Sequence, residues 1–139
     1  MKKVKIIILV LSHEDSGGIY DRFQRAQSET WGQVSHQDIE TFFFYGDSPE
    51  NEIIDNKIKV SVDSGLWSCG LKTIESIKLI NSNFDYDFLF RTNSSSYVDK
   101  YQLSDFLNSK PKKKYYAGHS AHDQGIHYVS GSGIIYQKI

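Results

Sequence analysis

A run of Val, Ile and Leu from Val4 to Leu11, broken only by Lys5, constrains the fold more than any other segment. Eight residues with no polar alternation have no face to turn toward water. Such a run reads as a central parallel strand covered on both sides. Lys2 and Lys3 precede it, as basic residues precede the apolar stretch of a secretory leader. Lys5 interrupts the stretch, however, and the polar His13-Glu14-Asp15 follows with no small-x-small cleavage pattern. The run is also far shorter than the roughly 20 residues that a helix needs to cross a bilayer.

The rest of the chain alternates strand and helix patterns. Ser12 to Gly18 leaves the sheet. Ile19, Phe23 and Ala26 then recur at helical spacing, with Asp15 or Ser16 as N-cap candidates and Gly32 closing the helix after Trp31. Thr41 to Tyr45 is a second buried strand, stopped by Gly46-Asp47-Ser48-Pro49. Ile58, Val60 and Val62 suggest a short third strand. Trp67, Leu71, Ile74, Ile77 and Ile80 form a stripe spaced for a helix packed on the sheet. Phe88 to Phe90 is a fourth strand and Tyr101 to Leu107 a short helix. Tyr115 to Ala117 is a short strand, and His127 to Tyr136 a strand pair or strand-turn. Together these predict one α/β domain over residues 1–139, with a mostly parallel sheet and helices on both faces. The last apolar segment reaches the C-terminus with no helix after it, as in a partial domain. An uncovered sheet edge there would be open to a second copy.

Charge and cysteine content narrow the partners. The formal net charge is -1, so no global field draws the chain to nucleic acid or anionic lipid. Lys110 to Lys114 is a local exception, read as a solvated turn beside Pro111. The single thiol, Cys69, rules out an intrachain disulfide and suits a reducing cytosol. Its place in an apolar helical pattern reads as a small buried hydrophobe rather than a nucleophile.

In an open parallel sheet, ligands bind beyond the carboxyl ends of the strands. That rule selects three loops: Ser12-His13 after the first strand, Asp63-Ser64-Gly65 after the third, and Arg91 to Ser96 after the fourth. Arg91 offers a fork of donors for phosphate or carboxylate. Asn93 and the serines add groups for sugar hydroxyls, although such residues also serve simply as turn and cap formers. Asp85-Tyr86-Asp87 has metal-binding spacing but sits at the amino end of its strand, on the opposite rim. His119, His122, Asp123 and His127 lack a pattern that would put them on one face, and read as a polar loop. Gly131-Ser132-Gly133 lacks the following helix that a phosphate cradle needs, and reads as a bulge or a place of close backbone approach.

Four segments, in order, resemble the β-1,3-galactosyltransferase and Fringe family of glycosyltransferases. Arg25 to Gly32 (RAQSETWG) is similar to the family's R-x-A-I-R-x-T-W-G, with Ser28 where an Arg is usual. Asp63-Ser64 followed by Leu71-Lys72-Thr73 resembles D-S-Y…L-K-T. Phe90 to Val98 (FRTNSSSYV) resembles K-T-D-D-D-x-F-V, and Tyr128 to Ile135 (YVSGSGII) resembles Y-x-S-G-x-G-Y-V.

The resemblance implies a Rossmann-like GT-A nucleotide-sugar-binding domain. It also implies a donor, most naturally a UDP-sugar, and a glycan or other hydroxyl acceptor. Ser12, His13, Asp63, Lys72, Arg91, Asn93 and Ser95 are then donor-binding candidates, and Ser130, Gly131 and Ser132 candidates for acceptor or sugar. The family commonly uses Mn²⁺ or Mg²⁺ on its aspartates. Here Asn93-Ser94-Ser95 replaces them with neutral oxygens that hold hard cations poorly, so a metal is doubtful. Arg91 is the candidate to neutralise the leaving diphosphate instead. The family's later acidic residues are absent from a chain ending at Ile139, which leaves the catalytic base unassigned. A glycosyltransferase, a carbohydrate- or nucleotide-binding module without turnover, and an unrelated nucleotide-binding α/β platform all remain open.

Overall fold

The structure, a computed structural model, describes residues 1–138. Along the chain run β1 (Lys2–Leu11), α1 (Ile19–Glu29), β2 (Ile39–Tyr45), β3 (Glu52–Ile54), β4 (Lys57–Lys59), α2 (Cys69–Asn83), β5 (Phe84–Asn93), α3 (Lys100–Asn108), β6 (Tyr116–Asp123) and β7 (Ile126–Gln137). Single 3-10 turns occupy Trp31–Gln33 and Leu66–Ser68. The described strands form one sheet in the order β3-β4-β2-β1-β5-β7-β6.

The apolar run predicted to be central is central. β1 pairs in parallel with β2 and with β5, and Ile6 to Val10 are fully buried. Its alternate residues feed two cores. Ile6, Ile8 and Val10 pack with Trp31, Phe43, Phe88 and Leu107 on the face covered by α3 and the Trp31 turn. Ile7 and Leu9 pack with Phe44, Ile58, Leu89 and Ile80 of α2 on the other. Helical cover on both faces is therefore present, in an α/β chain. Among the described residues no helix is long and apolar enough to cross a membrane.

The mostly parallel sheet is corrected to a mixed one. β1–β2, β1–β5 and β2–β4 are parallel, while β3–β4, β5–β7 and β6–β7 are antiparallel. Tight turns cause this at both edges, because a two-residue link can join only antiparallel strands. Gln124 and Gly125, both with positive φ, reverse β6 into β7, and Asp55 (φ 54°) lies in the turn from β3 to β4. The hairpin β6–β7 also replaces the polar loop expected around the histidines. His122 lies opposite His127 in its ladder, their rings 4.6 Å apart, and among the described residues no group of three or more His, Cys, Asp or Glu is placed to hold a metal.

Helical faces differ from the sequence pattern as well. In α2 the buried residues are Lys72, Ser76 and Ile80, whereas Leu71 and Ile74 are 54% and 52% exposed and Trp67, just before the helix, is 98% exposed. In α1 only Gln27 is buried; Ile19 and Ala26 are exposed and Phe23 is half-buried. Asp85 and Asp87 lie inside β5, near its amino end, and pair with Lys138 and Lys112. That spacing is structural.

Candidate functional site

The chain order 4-2-1-5 of the parallel strands places a switch point at β1. From β1 the chain passes through α1 to β2 on one side, and α2 returns it to β5 on the other. Loops diverge at such a point and leave a crevice at the carboxyl ends. The register puts Leu11 opposite Asn93, so Ser12-His13 and the turn after Asn93 share one rim.

A cavity of about 610 Å³ lies there. Its lining comes from Leu11 to His13, Tyr20 and Phe23 of α1, Ser64 to Leu66, Cys69 and Lys72 of α2, and Asn93 to Ser95. Three loops separated in sequence thus meet across one space. The size is within the roughly 300–1,000 Å³ usual for small-molecule sites. His13, Tyr20 and Phe23 form a chain of edge-on aromatic contacts along one wall, with centroid distances of 5.4 and 6.3 Å. Asn93 and the serines supply neutral hydrogen-bonding groups. Among the described residues no Asp or Glu lines the cavity.

Lys72 is the cation at this site. It is 2% exposed, and its Nζ donates to the Ser12 carbonyl at 3.0 Å and the Ser64 hydroxyl at 3.4 Å. No carboxylate among the described residues comes within ion-pair distance of it. Burial accordingly holds the amine below its ordinary value, with Asp47 and Asp63 acting only at longer range. Lys100 is the informative contrast. It too is buried without a carboxylate, but its Nζ reaches the carbonyls of Gly32 and Val34 at 3.1 and 2.7 Å, and it does not line the crevice. Each amine makes two hydrogen bonds, but Lys100 staples a chain turn away from the crevice, whereas Lys72 lines it.

The supports are local. Gly46 lies against Lys72: a Cβ there would meet the Val62 carbonyl at 2.6 Å and Lys72 Cδ at 3.1 Å. Gln27 Nε2 donates to the carbonyls of Asn93 and Ser96, and Trp31 Nε1 donates to the Ser96 carbonyl, so α1 and its following turn hold the 93–96 loop. α2 begins at the crevice with no side-chain cap on its first amides.

The candidates from sequence divide accordingly. Ser12, His13, Lys72, Asn93 and Ser95 come together in the crevice. Ser12 contributes its carbonyl to Lys72, while its hydroxyl is engaged with the Val10 carbonyl; His13 Nδ1 lies 3.0 Å from Ser64 Oγ. Asp63 is exposed and outside the lining, where its carboxylate lies 3.5 Å from Ser68 Oγ. Arg91 faces a neighbouring cavity between α2 and β7. Its Nη1 donates to Asn93 Oδ1 at 3.0 Å and to the Gly131 carbonyl at 2.9 Å. Gly131 permits that approach, since a Cβ would sit 2.8 Å from Nη1. Ser130 and Ser132 lie along β7 outside the crevice, their hydroxyls 3.1 Å apart.

Sequence reasoning missed Tyr20 and Cys69 as crevice residues and Gln27 as a loop support. Cys69 is half-buried on the first turn of α2, not sealed in the core, because the helix turns Leu71 and Ile74 outward and buries Lys72, Ser76 and Ile80. Gln27 and Trp31 do fall inside the RAQSETWG segment, the one signal that pointed to them.

The fold and site define an α/β chain with a cation-floored cleft at a sheet switch point, lined by no carboxylate among the described residues. No protein-family model matches the chain, and no curated protein matches it.

Proposed function

We propose that the crevice binds a nucleoside-diphosphate sugar and that the protein transfers the sugar to an acceptor hydroxyl, as a GT-A-type glycosyltransferase. The observation that carries this reading is Lys72, a buried ammonium without a carboxylate, on the floor of a cleft made of aromatic and hydroxyl groups. A diphosphate supplies the missing anion. The uncapped start of α2 adds partial positive charge on the same side. The aromatic wall of His13, Tyr20 and Phe23 suits a nucleobase, and Asn93, Ser94 and Ser95 suit sugar hydroxyls. The four segments resembling the β-1,3-galactosyltransferase and Fringe family, three of which contribute to the crevice or its supports, favour the same class.

In such a transfer the acceptor oxygen bonds to the anomeric carbon and the bond from that carbon to the diphosphate breaks. The diphosphate keeps the electron pair, and the acceptor hydroxyl passes its proton to solvent water. Lys72 stabilises the negative charge that gathers on the leaving oxygens. The donor set does not fit a divalent metal: amide and hydroxyl oxygens without a carboxylate are weak ligands for Mn²⁺ or Mg²⁺. Arg91, turned toward the neighbouring cavity, acts on the crevice by positioning Asn93.

A second reading, donor binding without turnover, is favoured by the absence of a crevice carboxylate to take the acceptor proton. Calorimetric titration with UDP-, GDP- and CMP-sugars tests both. Binding of one series with release of free sugar or transfer supports the enzyme, and binding alone supports the module. Failure of every donor to bind removes both.

A further inference from the structure

The cavity beside the crevice has its own chemistry. It measures about 480 Å³ and lies between the outer flank of α2 and the strands β5 and β7. Ile74, Ile77, Val129 and Ile134 give it apolar walls, and Arg91 supplies its cation. Nη1 makes both of the protein hydrogen bonds of that guanidinium; Nε and Nη2 have no protein partner among the described residues. No carboxylate there pairs with it either. Desolvation, the main influence on Arg91, works against its charge without displacing it at neutral pH. A guanidinium kept partly out of water, with its fork unfilled and apolar walls around it, is suited to an oxyanion on an amphipathic body.

We propose that this cavity is a second ligand site, taking the carboxylate or phosphate of a small amphipathic anion, with Arg91 as its anchor. Cys69 lines both cavities, so a ligand held by Arg91 lies next to the crevice. The glycosyltransferase reading makes that ligand an acidic acceptor; its binding does not depend on that reading.

The test is calorimetric titration without nucleotide, using p-nitrophenyl β-glucuronide, p-nitrophenyl phosphate and the neutral p-nitrophenyl β-glucoside. At least one anion is expected to bind tenfold or more tightly than the glucoside. Whichever anion is tighter identifies carboxylate or phosphate as the group recognised. Arg91→Met is expected to erase the preference. Because Arg91 also braces Asn93 and Gly131, Gly70→Trp provides a second variant: the Cβ direction at Gly70 is open, and the residue lines only this cavity. It is expected to abolish anion binding while leaving UDP affinity as in the unaltered protein. Equal binding of glucuronide, phosphate and glucoside overturns the proposal, as does anion binding that survives Gly70→Trp. A failure of UDP to bind at all, with anion preference intact, counts against the donor reading alone.

Discussion

Lys72 Nζ donates to the main-chain carbonyl of Ser12 at 3.0 Å, tying the first turn of α2 to the carboxyl end of β1. This bond uses the amine to shape the crevice without neutralising it. Lys72→Met keeps the buried stem and removes the charge. Losing a desolvated cation offsets losing its two hydrogen bonds, so stability is expected to stay within about 1 kcal/mol of the parent in a chemical melt. UDP affinity is expected to fall at least tenfold, about 1.4 kcal/mol, by calorimetry. Unchanged affinity would remove Lys72 from the donor site.

Alkaline pH separates ligand binding from folding. Burial lowers the Lys72 value from its ordinary 10.5, so the ammonium is lost before that pH, and under the proposed donor role UDP affinity is expected to decline below it. For stability the same shift has the opposite sense: the buried charge is a cost at neutral pH, relieved as pH rises through the lowered value toward 10.5. Tyr45 and Tyr86 are pushed by burial from 10.0 up to about 12. Their contribution is complete below 10.0 and is lost as pH rises toward about 12, each by roughly 2–3 kcal/mol. Denaturant midpoints measured from pH 7 to 12 are thus expected to hold or rise slightly, then drop steeply above 10. A steady decline starting near neutrality contradicts this assignment.

The central strand and its two parallel neighbours were legible because each run is buried on both sides and has no polar alternation to misread. The rim was legible too, since strand direction alone assigns Ser12, His13 and the Asn93 turn to one edge. Orientation was not. Trp67, Leu71 and Ile74 have helical spacing, but spacing does not say where the sheet lies, and the buried side of α2 carries Lys72 and Ser76. A lysine with a long apolar stem covers sheet surface as a hydrophobe does while keeping its charge at the rim. Arg91 went to a separate cavity because its guanidinium is held by the Gly131 carbonyl of β7, a partner far away in sequence. β3, three residues long, escaped, as did the His119 to Asp123 part of β6, because their pattern is weak and mostly exposed, whereas Tyr115 to Ala117 and His127 to Tyr136 did read as strand.

The loop that carries Asn93 to Ser96 depends on groups outside it. Trp31 Nε1 donates to the Ser96 carbonyl at 3.0 Å, and Gln27 Nε2 donates to the same oxygen at 3.0 Å. Trp31→Phe keeps an aromatic ring in the core but leaves a void and deletes one of those bonds. A loss of about 1–3 kcal/mol is expected, measured by denaturant unfolding. Gln27 retains the loop, so UDP affinity is expected to change less than threefold. A larger loss of binding than of stability would show that Trp31 sets the crevice geometry directly.

Asn93 Oδ1 accepts from Arg91 Nη1 at 3.0 Å, an arrangement that an aspartate would reproduce with charge added. Asn93→Asp places an acidic residue at the position where the resembled family carries its metal ligands. The neighbouring guanidinium, having no carboxylate partner among the described residues, competes for it first. A charge-assisted bond in place of a neutral one is expected to add about 1 kcal/mol, raising Tm by roughly 3 °C. The new carboxylate is held below its usual range, so the gain is present at neutral pH and disappears on acidification through that lowered value. With its carboxylate engaged and only hydroxyls beside it, the variant is expected to bind UDP equally with and without Mn²⁺. Manganese-enhanced UDP binding by Asn93→Asp, without a rise in Tm, would show that the side chain turns into the crevice and away from Arg91.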